Sequence, residues 1–277
     1  MEPLTARSTT DAATALGEAG NFLRGRPIEN NLVLTLLGQR RASPLDGRYW
    51  WACRGDEVAG FVFQSPRSFR AVVSPACAEA VDSLVDLMAV EAPDLPGITG
   101  EASTAAAFAG RWAERLRVPA VPTEGQRIYR LGTVRRPSGV PGRFRQADEG
   151  DREVLVEWAR CFLRDTASGP FDAGEMTDRH LAGGRLWLWE HDGRPVSMAA
   201  VSVPAAGVSR IAFVYTPVEH RSRGYAAACV AGLSEWVLAG DVGTCILYTQ
   251  LSNPTSNALY RRIGYEPVTE VLVYRFG

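Results

Sequence analysis

The strongest chemical signal lies in a short polar loop between an apolar run and an alanine-rich run. The loop consists of Arg221, Ser222, Arg223, Gly224, Tyr225 and Ala226, and it follows a strand that we predict to end at Thr216-Pro217. The first turn of a helix leaves backbone N–H groups without partners and carries partial positive charge, so it binds anions. Gly224 and Ala226 are small enough to let a phosphate approach the backbone, and the two arginines add positive charge. The segment therefore predicts a phosphate-binding helix N-terminus.

A second segment places two polar side chains on one helix face. It reads NPTSNALYRRIGYEPV, from Asn253 to Val268. Asparagine is a helix-capping residue, proline suits the first helical position, and Gly264 suits the position after the last turn. We therefore predict a helix over residues 254–262, on which Asn257 and Tyr260 share a face because they are three residues apart.

Together these segments resemble the acetyl-CoA site of the GNAT acyltransferase superfamily. Arg221, Gly224 and Ala226 match its loop pattern Gln/Arg-x-x-Gly-x-Gly/Ala. Residues 253–268 are similar to its pattern Asn-x-x-Ser/Ala-x-x-Leu/Phe-Tyr-x-x-x-Gly-Phe/Tyr, with a strand at 245–250 before them. The resemblance covers residues 142–277 in sequence and residues 1–133 only in the order of predicted elements.

The resemblance implies a role for each matching residue. Acetyl-CoA would be the cosubstrate, and no metal would be needed. Its pantetheine arm would lie along the end of a strand, its diphosphate on the loop amides, and Asn257 would bond one of the two. Tyr260 would protonate the departing CoA thiolate after direct attack of an amine on the thioester, whose carbonyl a backbone N–H would polarise. The residues implied for cosubstrate binding are Val214, Tyr215, Thr216, Arg221, Ser222, Arg223, Gly224, Tyr225, Ala226, Asn253 and Asn257.

Composition excludes several other chemistries. All 30 basic residues are arginine, so the chain has no P-loop, kinase or Schiff-base lysine. The five cysteines form no C-x-x-C pair, the three histidines form no H-E-x-x-H, and G-x-S-x-G is absent. The net charge of −1 gives no sign of a nucleic-acid partner. The sequence has no apolar run of about 18 residues that would indicate a membrane span. We expect a cytoplasmic protein with reduced cysteines and no signal peptide.

The chain also reads as two similar halves. Each half has a tryptophan-rich hairpin, a short strand ending at a proline, a helix, a strand, a helix and a final strand that contains Tyr129 or Tyr274. We predict an α/β fold with mixed sheets, built as two GNAT-like domains in tandem. The predicted domains are residues 1–136 and 137–277, joined by a Pro/Gly/Arg-rich stretch at 134–144.

The first half departs from the family pattern where the chemistry would lie. Residues 75–80, which correspond to the loop, contain no glycine and no leading arginine, and Glu79 stands where phosphate would bind. Phe108 stands near the position of the tyrosine, and no asparagine matches Asn257. We predict that this half keeps the fold without binding CoA, and that the intact acetyl-CoA site lies in the second half.

The general base and the acceptor pocket stay open at this stage. The acidic and histidine candidates are Glu190, Asp192, Glu219, His220 and two residues of a predicted glycine-rich loop, Asp172 and Glu175. Each is also compatible with a solvated surface charge, and His180 and His191 with structural roles. Trp50, Trp51, Trp187 and Trp189 are compatible with core packing or with an apolar acceptor pocket, and Cys229 with core packing.

The function that we predict is transfer of an acetyl group from acetyl-CoA to a primary amine in a ternary complex. The amine would belong to a small molecule or to a peptide N-terminus. One alternative is a non-catalytic acyl-CoA sensor, which would keep the loop without turnover. A second alternative is an acyltransferase that uses longer acyl groups or aminoacyl-tRNA, although the near-neutral composition gives no sign of a basic groove.

Overall fold

The structure is a computed structural model that describes residues 2–166, 171–240 and 242–277. Its strands are β1 (Thr5–Thr9), β2 (Arg48–Arg54), β3 (Glu57–Gln64), β4 (Ala71–Val73), β5 (Gly97–Glu101), β6 (Ala120–Pro122), β7 (Gln126–Leu131), β8 (Arg143–Gln146), β9 (Leu186–His191), β10 (Arg194–Val201), β11 (Val208–Tyr215), β12 (Thr244–Gln250) and β13 (Tyr265–Phe276). Its α-helices are α1 (Ala12–Gly25), α2 (Asn31–Ala42), α3 (Ala78–Glu91), α4 (Ala102–Leu116), α5 (Arg152–Asp165), α6 (Ala173–Ala182), α7 (Tyr225–Leu238) and α8 (Pro254–Arg262).

The same order of elements occurs twice along the chain. A strand is followed by two helices, three strands, a helix, a strand, a helix and a last strand, first from β1 to β7 and then from β8 to β13. The short strand β6 is the one addition in the first half. The predicted tandem arrangement of two α/β repeats is therefore confirmed.

Contacts group the chain into two compact units. The first comprises Met1–Ile128, Thr249–Asn253 and Pro267–Gly277, and the second comprises Tyr129–Tyr248 and Pro254–Glu266. The end of β13 therefore groups with the first unit and the end of β7 with the second. These two units are defined by contacts between residues, whereas the predicted domains 1–136 and 137–277 are defined by the sequence repeat. The division into those two domains stays a prediction.

The first unit contains a mixed sheet. Strands β1, β2, β3 and β4 pair antiparallel in that order, β4 pairs parallel with β5, and β5 pairs antiparallel with Val271–Arg275 of β13. Its core contains aromatic side chains of strands and helices, with Trp50, Phe108 and Trp112 almost fully buried.

The second unit also contains a mixed sheet, as predicted. Strands β8, β9, β10 and β11 pair antiparallel in that order, and β11 pairs parallel with β12. The β9–β10 turn places Asp192 and Gly193 at φ of 50° and 69°, the positive pair that tight hairpins favour. Helix α7 packs against β9, β10 and β11, and its buried positions include Ala227, Val230 and Leu233.

One predicted loop is a helix. Residues Ser168–Met176 read as a glycine-rich loop, but α6 begins at Ala173, because the Asp172 carboxylate accepts a hydrogen bond from the Glu175 N–H (2.7 Å) and caps the helix. Ser168, Gly169 and Pro170 lie outside the described residues. The helix over 254–262 begins and ends as predicted.

Candidate functional site

Strand β11 contains a β-bulge at its centre. Met198 and Ala200 of β10 lie opposite Tyr215 and Ala212, so two steps along β10 match three along β11. Phe213 has a φ of 59°, which is rare for a non-glycine residue. Its buried ring packs edge-on against Phe162, with 4.9 Å between ring centroids. The bulge bends the strand and redirects the side chains that follow it.

The parallel pairing of β11 with β12 ends at Ile211, just before the bulge. Their parallel pairing joins Val208–Ile211 to Thr244–Leu247, and in the described part of the chain it does not extend to Ala212–Tyr215. Backbone groups near Val214 and Tyr215 lie beyond this paired segment of β11, and a strand end can accept an extended ligand as an added strand. Buried Ser197 fixes this end, since its hydroxyl donates to the Tyr215 carbonyl (3.2 Å) and lies 2.9 Å from the Thr216 hydroxyl.

The loop that follows β11 has the backbone of an anion site. Ser222 and Gly224 have φ of 64° and 83°, and no side chain caps α7 at Gly224. The first main-chain hydrogen bond of α7 runs from the Ala228 N–H to the Gly224 carbonyl (3.0 Å). The N–H groups of residues 225–227 therefore precede the helical ladder and suit an anion. A Cβ atom at Gly224 would lie 2.9 Å from a methyl group of Val140.

The two arginines of the loop differ in their surroundings. The Arg221 Nε donates to the Thr216 carbonyl (3.0 Å), and its guanidinium forms an ion pair with Asp165 (3.3 Å) and lies 5.9 Å from the Tyr215 ring centroid. Arg223 is exposed. Burial, followed by the Cys161 thiol, raises the pKa of the Tyr215 phenol to about 12. Arg221 thus ties the loop to the strand end in this structure.

Helix α8 contributes Asn257 and Tyr260, both 7% exposed. Tyr260 belongs to the hydrophobic cluster that includes Ala227 of α7 and Leu247 of β12, and Val214 packs against that cluster. Burial raises the pKa of the Tyr260 phenol to about 12, so the hydroxyl keeps its proton at neutral pH. The α8 pair, the start of α7 and the end of β11 therefore meet in one unit.

The structure also places three other residues that the sequence predicts for cosubstrate binding. The Tyr225 side chain is 3% exposed, and its ring centroid lies 5.8 Å from that of His191, so its backbone N–H is what remains for a ligand. Ala226 is half-buried in the first turn of α7. Asn253 groups with the first unit, and its N–H donates to the Gln250 carbonyl (3.1 Å).

The structure gives structural roles to two candidates for the general base. Glu190 accepts hydrogen bonds from Arg143 (2.7 Å) and Arg145 (2.5 Å), which lower the pKa of its carboxyl. Asp172 caps α6, whereas Glu175, Asp192 and Glu219 are exposed. Burial lowers the pKa of His180, whose Nδ1 lies 2.8 Å from the Met176 carbonyl. No general base is assigned.

The tryptophans and Cys229 belong to the cores. Trp50 and Trp51 are buried in the first unit, and the Trp50 Nε1 donates to the Glu91 carboxylate (2.7 Å). Trp187 and Cys229 are buried in the hydrophobic cluster of the second unit, against which Trp189 packs. Core packing is therefore confirmed for these side chains, and all five cysteines are free thiols.

The corresponding segment of the first half has a different backbone. Helix α3 follows Cys77 directly, Glu79 lies in its first turn, and none of residues 75–80 has a positive φ.

Within the described ranges, no group of three or more His, Cys, Asp or Glu side chains could hold a metal ion. Over the same ranges, no helix is long and apolar enough to cross a membrane.

Sequence reasoning missed three contributors. Neither the sequence of β11 nor its apolar pattern marks Phe213 as a bulge, because phenylalanine disfavours positive φ. Ser197 reads as an ordinary strand residue. Tyr129 of β7 donates a hydrogen bond to the Asn257 carboxamide (2.8 Å), although 128 residues separate the two. Long-range pairs of this kind leave no local signal in one sequence.

Comparison with known proteins finds a family model that matches residues 152–265 and solved structures with a similar fold over nearly the whole chain. Residues 152–265 match the family model "Acetyltransferase (GNAT) family". A GNAT-family acetyltransferase from Colwellia psychrerythraea is similar over 99% of both chains, with TM-score 0.64 and 12% identity. A GCN5-related N-acetyltransferase from Sphaerobacter thermophilus matches 99% of this chain and 96% of its own, with TM-score 0.55 and 18% identity.

A third solved structure has the tandem arrangement in its description. It is a tandem GNAT protein from the clavulanic acid biosynthesis pathway, similar over 98% of this chain and 97% of its own, with TM-score 0.59 and 12% identity. No curated protein matches the sequence. At these identities the solved structures establish the fold over the whole chain.

Proposed function

We propose that the chain transfers an acetyl group from acetyl-CoA to a primary amine, because residues 152–265 match the family model "Acetyltransferase (GNAT) family". Acyl-CoA-dependent acetyl transfer is the general activity of that family. The primary amine, on a small molecule or a peptide N-terminus, is the part specific to this proposal.

The observation that carries the proposal is the end of the β11–β12 pairing at Ile211, close to the start of α7, which no side chain caps. The end of β11 suits the amide groups of a pantetheine arm, which would add to the strand through backbone hydrogen bonds. The diphosphate would bind the N–H groups at residues 222–227, where Gly224 keeps the approach open. Arg223 supports the binding of this anion, and Arg221 would do so on leaving Asp165.

The chemistry needs no covalent enzyme intermediate. The amine nitrogen attacks the thioester carbon, the C–S bond breaks with its electron pair on sulfur, and the thiolate takes the proton of the Tyr260 hydroxyl. The surplus proton of the new amide nitrogen returns to the Tyr260 phenolate through water. A phenol that stays protonated at neutral pH suits this role. Positioning of the two reactants supplies much of the rate.

The test is the substitution Tyr260→Phe, which removes the hydroxyl and keeps the ring. We expect the rate of acetylation of a responsive amine, measured as release of the CoA thiol, to fall about 10²-fold, because general acid catalysis contributes that much. The dissociation constant of acetyl-CoA, measured by calorimetry, should stay unchanged. Tyr274→Phe, which alters a half-buried tyrosine of the first unit, is the matched control and should keep full turnover.

The results separate the enzyme from the alternatives. Wild-type turnover in Tyr260→Phe would remove the assigned role of Tyr260. Acetyl-CoA binding by the wild-type protein without acetylation of any amine in a broad panel would favour the non-catalytic sensor. Turnover only with acyl-CoA donors longer than acetyl-CoA would favour the alternative acyltransferase, which uses longer acyl groups.

A further inference from the structure

The guanidinium of Arg221, the first arginine of the loop before α7, is held by the last residue of α5. Helix α5 ends at Asp165, and the Asp165 Oδ2 atom lies 3.3 Å from the Arg221 Nη2 atom. Arg221 is also bound to its own strand end, because its Nε donates to the Thr216 carbonyl at 3.0 Å. An arginine that the loop pattern assigns to an anion is therefore paired with a carboxylate of the protein itself.

The position of Asp165 is unfavourable for α5 itself. A carboxylate in the last turn of a helix faces the partial negative charge of the helix C-terminus. Arg164, in the same turn, reduces this repulsion, because its Nη2 atom lies 3.4 Å from the Asp165 Oδ1 atom. The carboxylate thus has two arginine partners, one on its own helix and one on the loop that follows β11.

The ion pair between Arg221 and Asp165 can open without leaving a buried charge. The side chains of Arg221 and Asp165 are 48% and 39% exposed, so water solvates both when they separate. Asp165 then keeps its contact with Arg164, and the Arg221 Nε keeps the Thr216 carbonyl. Because exposed ion pairs are weak, another anion can replace the carboxylate at the Arg221 guanidinium.

A phosphate group is a stronger partner for the same guanidinium. Arginine binds phosphate through paired, charge-assisted hydrogen bonds, and a diphosphate carries more negative charge than one carboxylate. Arg221 directly precedes the amides of residues 222–227, which we propose for the diphosphate. The Asp165 carboxylate and a diphosphate on these amides would therefore compete for one cation.

We propose that Asp165 sets the affinity of the acyl-CoA site, because its carboxylate competes with the cosubstrate diphosphate for the guanidinium of Arg221. Binding must exchange the carboxylate for the diphosphate, so Asp165 weakens acyl-CoA binding and favours release of the CoA product. The inference rests on the proposed function, since it takes Arg221 to contact the diphosphate. It gives α5 a part in cosubstrate binding that neither sequence motif indicates.

The experiment measures acetyl-CoA binding to the full chain by calorimetry. Asp165→Asn keeps the shape of the side chain and removes its charge. It should lower the dissociation constant about 2- to 5-fold, the value of an exposed ion pair, and keep the wild-type melting temperature. An unchanged or raised dissociation constant would overturn the inference, and a raised one would mean that Asp165 holds Arg221 in its binding position.

Asp178→Asn is the matched control. Asp178 of α6 is also exposed and paired with an arginine, with 2.6 Å between the Arg152 Nε and the Asp178 Oδ1 atom. Its substitution removes the same charge from the second unit and should leave the dissociation constant of acetyl-CoA unchanged. An equal gain of affinity in both variants would make net charge, not the pairing with Arg221, the cause.

Two further measurements test whether the effect acts through Arg221 and the diphosphate. In the Arg221→Gln background, Asp165→Asn should change the dissociation constant by less than about 1.5-fold, because the competed group is gone. With S-acetylpantetheine, which has the thioester and both amides but no phosphate, Asp165→Asn should leave the dissociation constant unchanged. The full gain of affinity in either measurement would overturn the inference.

The inference and the proposed function fail differently. The dissociation constants decide the inference even when no amine is acetylated, a result that would overturn the proposed transfer alone. Absence of acetyl-CoA binding by the wild-type protein would overturn both.

Discussion

Tyr260 owes its expected pH behaviour to burial. A general acid works in its protonated form, and burial raises the pKa of this phenol from about 10 to about 12. The group therefore stays almost fully protonated even at about pH 10, and activity that depends on its proton should be lost only as pH rises through the higher value. The direction matters because an ordinary phenol would be half ionised near pH 10.

We predict that kcat/KM of the wild-type protein does not decline between pH 8 and pH 10, because this parameter reports the groups of the free enzyme. Difference absorbance of the phenolate between wild type and Tyr260→Phe checks the ionisation directly. A fall in kcat/KM with a midpoint at or below pH 10, matched by phenolate absorbance lost in Tyr260→Phe, would contradict this assignment.

The role of a single residue was predictable from sequence where the backbone conformation restricts which residue type can stand there. Gly224 precedes a helix in a phosphate-binding pattern, and its φ of 83° is a conformation that glycine adopts readily. The engagement of Arg221 by Asp165 was not predictable, because the two are far apart in sequence and arginine suits a phosphate equally well. The same holds for Glu190, whose arginine partners come from another strand.

At the scale of elements, the loop before α7 depends on one backbone conformation. Gly224→Ala should destabilise the protein by about 1–2 kcal/mol, since alanine disfavours a left-handed backbone. It should also weaken acetyl-CoA binding about tenfold or more, because the new Cβ lies 2.9 Å from Val140 and shifts the amides that would hold the diphosphate. Thermal unfolding and calorimetry measure the two effects.

Gly207→Ala is the matched control for this substitution. Gly207 has a similar φ of 75°, and a Cβ there would meet nothing within 4 Å. The control should lose comparable stability and keep its affinity for acetyl-CoA. Equal losses of affinity in both variants would mean that the loop conformation at Gly224 has no special part in binding.

The ends of a helix were predictable from sequence where a proline or a glycine marks them. Helix α8 begins at Pro254 and ends before Gly264, as the proline and the glycine indicate. The start of α6 was missed because its capping aspartate stands in a glycine-rich segment that resembles a loop. The bulge in β11 was missed because packing against Phe162, not the propensity of Phe213, holds it.

At the scale of the whole molecule, the repeat predicted the order of elements but not the grouping of the last strands. Val271–Arg275 of β13 pair with β5 of the first unit, while Tyr129 of β7 packs in the second. The two last strands are similar in sequence, with Tyr129 and Tyr274 in matching places. Local patterns therefore cannot decide which repeat each strand completes, since either choice buries the same residue types.

We propose that the chain carries one acyl-CoA site, in its second unit. In the first unit, Glu79 lies in the first turn of α3, and residues 75–80 lack the positive φ values of the loop before α7. Calorimetric titration of the wild-type protein with acetyl-CoA counts the sites. We predict saturation at one molecule of acetyl-CoA per chain, whereas two molecules per chain, or no binding, would contradict a single site in the second unit.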